Sequence, residues 1–192
     1  MKPVGVIIAI VAVLLLWGGC QYNGMVGVDE NVKKTWNNVE SEYQRRSDLI
    51  PNLVNTVKGY ANFEQKTLTD VIEARAKATS VNINADNLTP EKLAEFQQAQ
   101  SQVSSSLSRL LVTVEQYPDL KANQNFMDLQ KQLEGTENRI KVARNDFNAA
   151  VEQYNVKVRR FPANLFAGIL GFQPKEGFKA DPGANVAPNV TF

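Results

Sequence analysis

Apolar residues recur at steps of three and four along three long stretches of this chain, and that rhythm confines it to helices packed side by side. The first seam runs Trp36, Val39, Tyr43, Ile50, Leu53, Val57 and Tyr60, with Arg46 standing where another apolar residue belongs. A later seam carries Leu93, Phe96, Val103, Leu107, Leu110, Val114 and Tyr117, with Gln100 completing the alternation. The longest has Phe126, Leu129, Leu133, Thr136, Ile140, Ala143, Phe147, Ala150 and Tyr154. Narrow seams of this kind suit helices crossing at roughly 20° in a bundle. Each holds one polar intruder, Arg46, Gln100 or Thr136, and such residues more often fix register than bind ligands. They could form one connected layer, with Glu134 or Glu137 as the counter-ion of Arg46.

The boundaries follow from local chemistry. Asp29 and Glu30 favour a helix start through the positive end of the dipole, and the pattern runs to Ala61. Pro51 lies well inside it, removes one backbone hydrogen bond and clashes with the carbonyl of Ser47, so a kink is expected near Ser47 to Ile50. Arg45, Arg46 and Asp48 flank that point. They read either as a docking site built on freed carbonyls or, preferably, as an interhelical salt-bridge layer. A shorter helix from Phe63 to Thr79 turns Leu68, Val71, Ile72, Ala74 and Ala78 inward and leaves Glu73, Arg75 and Lys77 as mostly solvated charges. Ser80 to Asn87 reads as a loop. Thr89, Pro90 and Glu91 then supply cap, first position and acid for a third helix that Pro118 stops near Tyr117. Val114 to Phe126 is a turn, and a fourth helix from Asn123 to Arg160 would reach roughly 57 Å.

The start of the chain differs from the rest. Val4 to Cys20 carries no charge, and as a helix it spans roughly 26 Å, the short end of a bilayer core. Val4, Ile7, Ile8, Val11, Leu14, Leu15, Leu16 and Trp17 are its membrane candidates, with Trp17 and Tyr22 suited to the headgroup zone. The alternatives are a cleaved signal peptide, or lipidation at Cys20 after Gly18 and Gly19, although Trp17 stands where a lipoprotein signal prefers an aliphatic. The retained anchor is favoured. Lys2 on a three-residue tail leans towards a body outside the cytoplasm.

Several function classes fall away. A net charge of +1 with scattered basic residues does not suit nucleic acid, which needs clustered cations. There is no histidine and one cysteine, so common zinc recipes and Ser/His/Asp or Cys/His triads are excluded within the chain. No catalytic, cofactor or metal residue is expected. Glu40, Glu42, Asp48, Glu64 and Asp70 look like solvated faces, although carboxylate chemistry across helices has no spacing signature.

Near the end, Phe161, Leu165, Phe166, Ile169, Leu170 and Phe172 are too apolar for water and too interrupted by Pro162, Gly168 and Gly171 for a long helix. That segment must lie against the bundle end, a neighbouring subunit or the bilayer. From Gln173 onward the chain is rich in Pro, Gly and Asn and reads as extended and mobile. Three regions result: an anchor over 1–27, a helical domain over 28–172 and a tail over 173–192.

Longer motifs add a resemblance. YNGMV from Tyr22, VESEYQRRSDLIPNLVNTVKGY ending at Tyr60, EARAKA from Glu73, LSRLLVTVEQYPDLKANQNF from Leu107, LEGTENRI from Leu133 and YNVKVRRFPANLFAGILGF from Tyr154 are similar, in this order, to the LemA family. The resemblance implies an all-α protein, an N-terminal transmembrane helix followed by an antiparallel four-helix bundle with long helices, and no established catalytic residues. The expectation is a non-enzymatic, single-pass scaffold in a bacterial inner membrane. Its partners would be membrane lipid, further copies in a homo-oligomer and other membrane proteins. The alternative is a lipoprotein, or an accessory module acting on envelope material through carboxylates.

Overall fold

The computed structural model describes residues 3–59 and 64–180, and Tyr60 and Phe192 lie outside them. Among the described residues six helices follow one another: α1 (Pro3–Lys58), α2 (Gln65–Ser80), α3 (Pro90–Val114), α4 (Pro118–Lys121), α5 (Gln124–Arg159) and α6 (Asn164–Ala167). No strand occurs among the described residues. The protein is an all-α bundle in which α1 packs chiefly on α5, and α2 on α3. Trp36 meets Phe147 and Arg46 meets Glu137, so α1 and α5 run antiparallel.

The capping chemistry appears where the sequence places it. Thr89 Oγ1 accepts from the Lys92 amide at 3.3 Å, with Pro90 opening α3. The Glu91 carboxyl is held below its usual range, first by its own backbone amide and then by Thr89. Asn123 Oδ1 accepts from the Phe126 amide at 3.1 Å and starts α5. The turn expected between Val114 and Phe126 contains α4, a single helical turn that buries Leu120.

The first helix departs from expectation. It does not restart at Asp29 but runs unbroken from Pro3 through Gly24 and Gly27 to Lys58. Single glycines cost a helix only about 1 kcal/mol each, and Met25 between them and Val32 beyond them are fully packed. Gly24 also makes room for Lys157, whose Cε would lie 2.9 Å from an added Cβ. Asp29, freed from a capping role, pairs with Lys175 at 3.1 Å.

Two apolar clusters make up the core. One gathers Met25, Trp36, Tyr43, Phe96, Ile140, Phe147 and Tyr154; the other gathers Ile50, Leu53, Val57, Leu68, Val71, Leu110, Phe126 and Leu133. Arg46, Gln100 and Thr136 lie between them in the order of the helices, all three buried. Residues 173–180 are extended and held against α5 by Tyr154, Asn155 and Asn148, where the sequence reads as mobile.

Among the described residues no helix is long and apolar enough to cross a membrane. The side chains of Ile7, Val11, Leu14 and Leu15 lie outside that description.

Candidate functional site

Two places concentrate the residues singled out above. The first is the polar layer at the middle of the bundle. Arg46 is 2% exposed, and its guanidinium makes four donations. Nη1 reaches Glu137 Oε1 at 2.6 Å and Ser104 Oγ at 2.8 Å. Nη2 reaches the Gln100 backbone carbonyl at 3.2 Å and also the Gln100 side-chain oxygen. The Tyr43 ring centre lies 5.0 Å from the guanidinium carbon. Because the acceptors belong to α3 and α5, this arginine is satisfied at one relative height of three helices.

Glu137 supplies the counter-charge. Glu134 is exposed and accepts from Gln130 instead. Thr136 is not bonded to Arg46: it donates to the Gln132 carbonyl at 2.8 Å and accepts from Arg139 at 2.9 Å. Arg139 in turn reaches Glu42 at 3.0 Å. Arg45 and Asp48 point outward, and Asp48 accepts from Gln44 at 2.8 Å.

Pro51 sits inside α1 without ending it, and the carbonyl it orphans on Ser47 is not left to water. Arg75 Nε donates to that oxygen at 2.8 Å. This corrects the reading of Arg75 as a solvated charge: it is half-buried, and it replaces the backbone donor that proline lacks. Arg75, Ser47 and Arg46 line a cleft of about 270 Å³ between α1, α3 and the end of α2 with the loop that follows it. The Ser47 hydroxyl is buried there without a hydrogen-bond partner. Among the described residues no group of three cysteine or carboxylate side chains could hold a metal ion.

The second place is the end of the bundle where α1 emerges. Ala163 and Ala167 turn into the core, while Phe161, Leu165, Phe166, Ile169 and Leu170 face outward, Ile169 at 85% exposure. Phe166 meets Trp17 edge-on at 6.0 Å, and Phe172 meets Tyr22 at 5.8 Å. The segment therefore forms a ledge level with the last residues of the charge-free run. Val4, Ile8, Val13 and Leu16 of that run are exposed, as is the thiol of Cys20.

Sequence reading missed Arg75, and it missed the residues that hold the tail. Asn148 and Asn155 each grip a tail residue through both its amide and its carbonyl. Their separation of seven residues, two helical turns on one face, is the signal that was available.

The chain is 27% identical over 202 residues to magnetosome protein MamQ 2 of Paramagnetospirillum magneticum, covering 96% of this chain and 72% of that protein. It is 26% identical to magnetosome protein MamQ of Magnetospirillum gryphiswaldense, with the same coverage. Protein LemA of Metamycoplasma hominis is 28% identical over 69% of this chain and 57% of its own length. The LemA family pattern matches residues 35–192, which takes in the polar layer, the ledge and the tail, and the chain belongs to that family.

Proposed function

We propose that this protein is a non-enzymatic scaffold, anchored in a bacterial inner membrane by one pass of α1, that self-assembles or recruits other membrane proteins. The observation that carries the reading is a single apolar surface at one end of the molecule. The exposed side chains of Val4, Ile8, Val13 and Leu16 continue, through the contact of Trp17 with Phe166, into the outward-facing Leu165, Ile169 and Leu170. Burying such a surface is favourable at about 25 cal/mol per Å² of apolar area, and lipid would bury the helix and the ledge together. Trp17 and Tyr22 would then sit in the headgroup zone, with the bundle outside the cytoplasm. The polar layer fits a structural rather than a catalytic role, because the buried charge of Arg46 is already paired.

Alkaline extraction of membranes tests the anchor. The intact chain is expected to stay in the pellet and Ile8→Lys with Val13→Lys to move to the supernatant. Release of the unmodified chain would refute the reading. Light scattering with detergent correction tests the assembly: a defined multimer supports it and a monomer removes it. The intact mass also decides lipidation, since a chain beginning at an acylated Cys20 would replace the spanning anchor by a lipid one.

A further inference from the structure

The docked tail is held as a bound peptide is held. Residues 173–180 run antiparallel to α5. Asn155 donates to the Lys175 carbonyl at 2.8 Å and accepts from its amide at 2.9 Å. Two turns earlier along α5, Asn148 does the same to Phe178, donating at 3.2 Å and accepting at 2.8 Å. Tyr154 donates to the Gln173 carbonyl at 2.8 Å, and Gln97 to that of Lys179 at 2.9 Å. Side-chain amides that pair with both backbone groups of an extended residue satisfy what a sheet edge would otherwise satisfy.

The side chains supply selectivity. Phe178, 7% exposed, stacks on Trp36 at 6.0 Å and meets Phe147 at 5.6 Å, with the Arg144 guanidinium 4.7 Å from its ring centre. Lys175 reaches Asp29 at 3.1 Å and lies over the Tyr154 ring at 5.1 Å. At Gly177 an added Cβ would stand 2.5 Å from Asn148 Oδ1, so a side chain there collides with the clamp itself. The groove thus reads an extended Lys-x-Gly-Phe segment.

We propose that this groove is an interaction site between copies, which takes the 173–180 segment of a neighbouring chain in place of its own. The inference rests on the self-assembly reading above. Every contact just described comes from α1, α3 or α5, so the same segment arriving from another copy makes the same bonds. The connection that carries it, residues 160–172, is largely exposed and holds Gly171 at φ +83°, a left-handed position suited to a hinge. Copies anchored in one bilayer stand parallel, with their ledges at one level. A neighbour's tail therefore leaves at the height where the groove begins, and exchange of an identical element needs no new interface.

Complementation between two full-length chains in lipid vesicles tests this. One chain carries Phe178→Asp, or in a second version Gly177→Ala, which alters no core side chain; it keeps a groove but loses a usable tail. The other carries Asn148→Ala with Asn155→Ala and keeps the tail but loses the groove. The two bear different affinity tags, and circular dichroism verifies that each is helical. The expected result is that the unmodified chain assembles, neither variant assembles alone, and the mixture yields a doubly tagged pair several-fold above either variant by itself. If the unmodified chain assembles and both mixtures give no pair, tail exchange is overturned while self-assembly stands. An unmodified chain that stays monomeric overturns self-assembly, and exchange with it.

Discussion

In a regular helix the amide at position 51 would donate to the carbonyl of Ser47, and Pro51 has no amide to give. Arg75 Nε fills that place at 2.8 Å, which makes the two residues energetically coupled across α1 and α2. Arg75→Met keeps most of the stem and deletes the donor. A hydrogen bond from a charged group contributes about 1.5–3 kcal/mol, and water entering the adjacent cleft offsets part of it, so a loss of about 1.5 kcal/mol is expected. For a chain of this size that lowers Tm by about 3–6 °C.

Pro51→Ala should itself stabilise, by less than the ~3 kcal/mol difference between proline and alanine in a helix interior, because Ile50 and Leu53 are packed for the existing backbone. In that background the restored amide serves Ser47, and Arg75→Met should cost under about 0.5 kcal/mol, a coupling of about 1 kcal/mol. Urea denaturation followed by far-UV circular dichroism on the four full-length chains measures it. Equal costs of Arg75→Met in the two backgrounds would refute the reasoning, since Arg75 would then not be serving the carbonyl that proline orphans.

Three further outcomes are expected. Glu137→Ala leaves the buried Arg46 without its counter-charge and should cost about 3 kcal/mol, the low end for a buried pair because Glu137 keeps 35% exposure; replacing Arg46, Gln100 and Ser104 together by Leu, Leu and Ala should recover most of that loss in the same denaturation assay. Burial, and then the Asp29 carboxylate, push the Tyr154 hydroxyl up to about 12 from its ordinary 10.0. The unfolded chain then loses this proton first, so stability should fall as pH rises from about 10 to about 12, and Tyr154→Phe should flatten that slope in melting curves; an unchanged slope would exclude Tyr154 as its source. Gly177→Ala should release the tail and speed tryptic cleavage after Lys175 and Lys179, with the helical signal unchanged; cleavage at the original rate would contradict the tight approach of Asn148.

Much of the architecture was legible because three-and-four spacing is a local signal. It located the seams of α3 and α5 and their polar intruders, and Asn123 marked a real boundary, whereas Pro118 opens α4 and α3 ends earlier, at Val114. The first helix was misread at Gly24 and Gly27, since a local break signal of about 1 kcal/mol loses to tertiary packing of Met25 and Val32. Arg75 was misread for a related reason: its partner is a carbonyl 28 positions away, and no spacing within α2 announces it. Residues 173–180 were misread as mobile because their composition is that of a mobile segment. What orders it is supplied by Asn148, Asn155 and the Trp36 and Phe147 rings, all remote in sequence.

If α1 spans a membrane as proposed, its unbroken course has a mechanical consequence. If straight, its 56 residues make a mast of about 84 Å, of which about 57 Å lies beyond Cys20. Because the helix is continuous past Cys20, the far end would stand at a fixed height, and any partner there would have to meet it at that distance. Any lean of the proposed spanning part would be transmitted as well: tilting the mast by roughly 10° would sweep its tip about 10 Å sideways. A change in bilayer thickness, which membrane helices accommodate by tilting, would thus be converted at the tip into lateral travel.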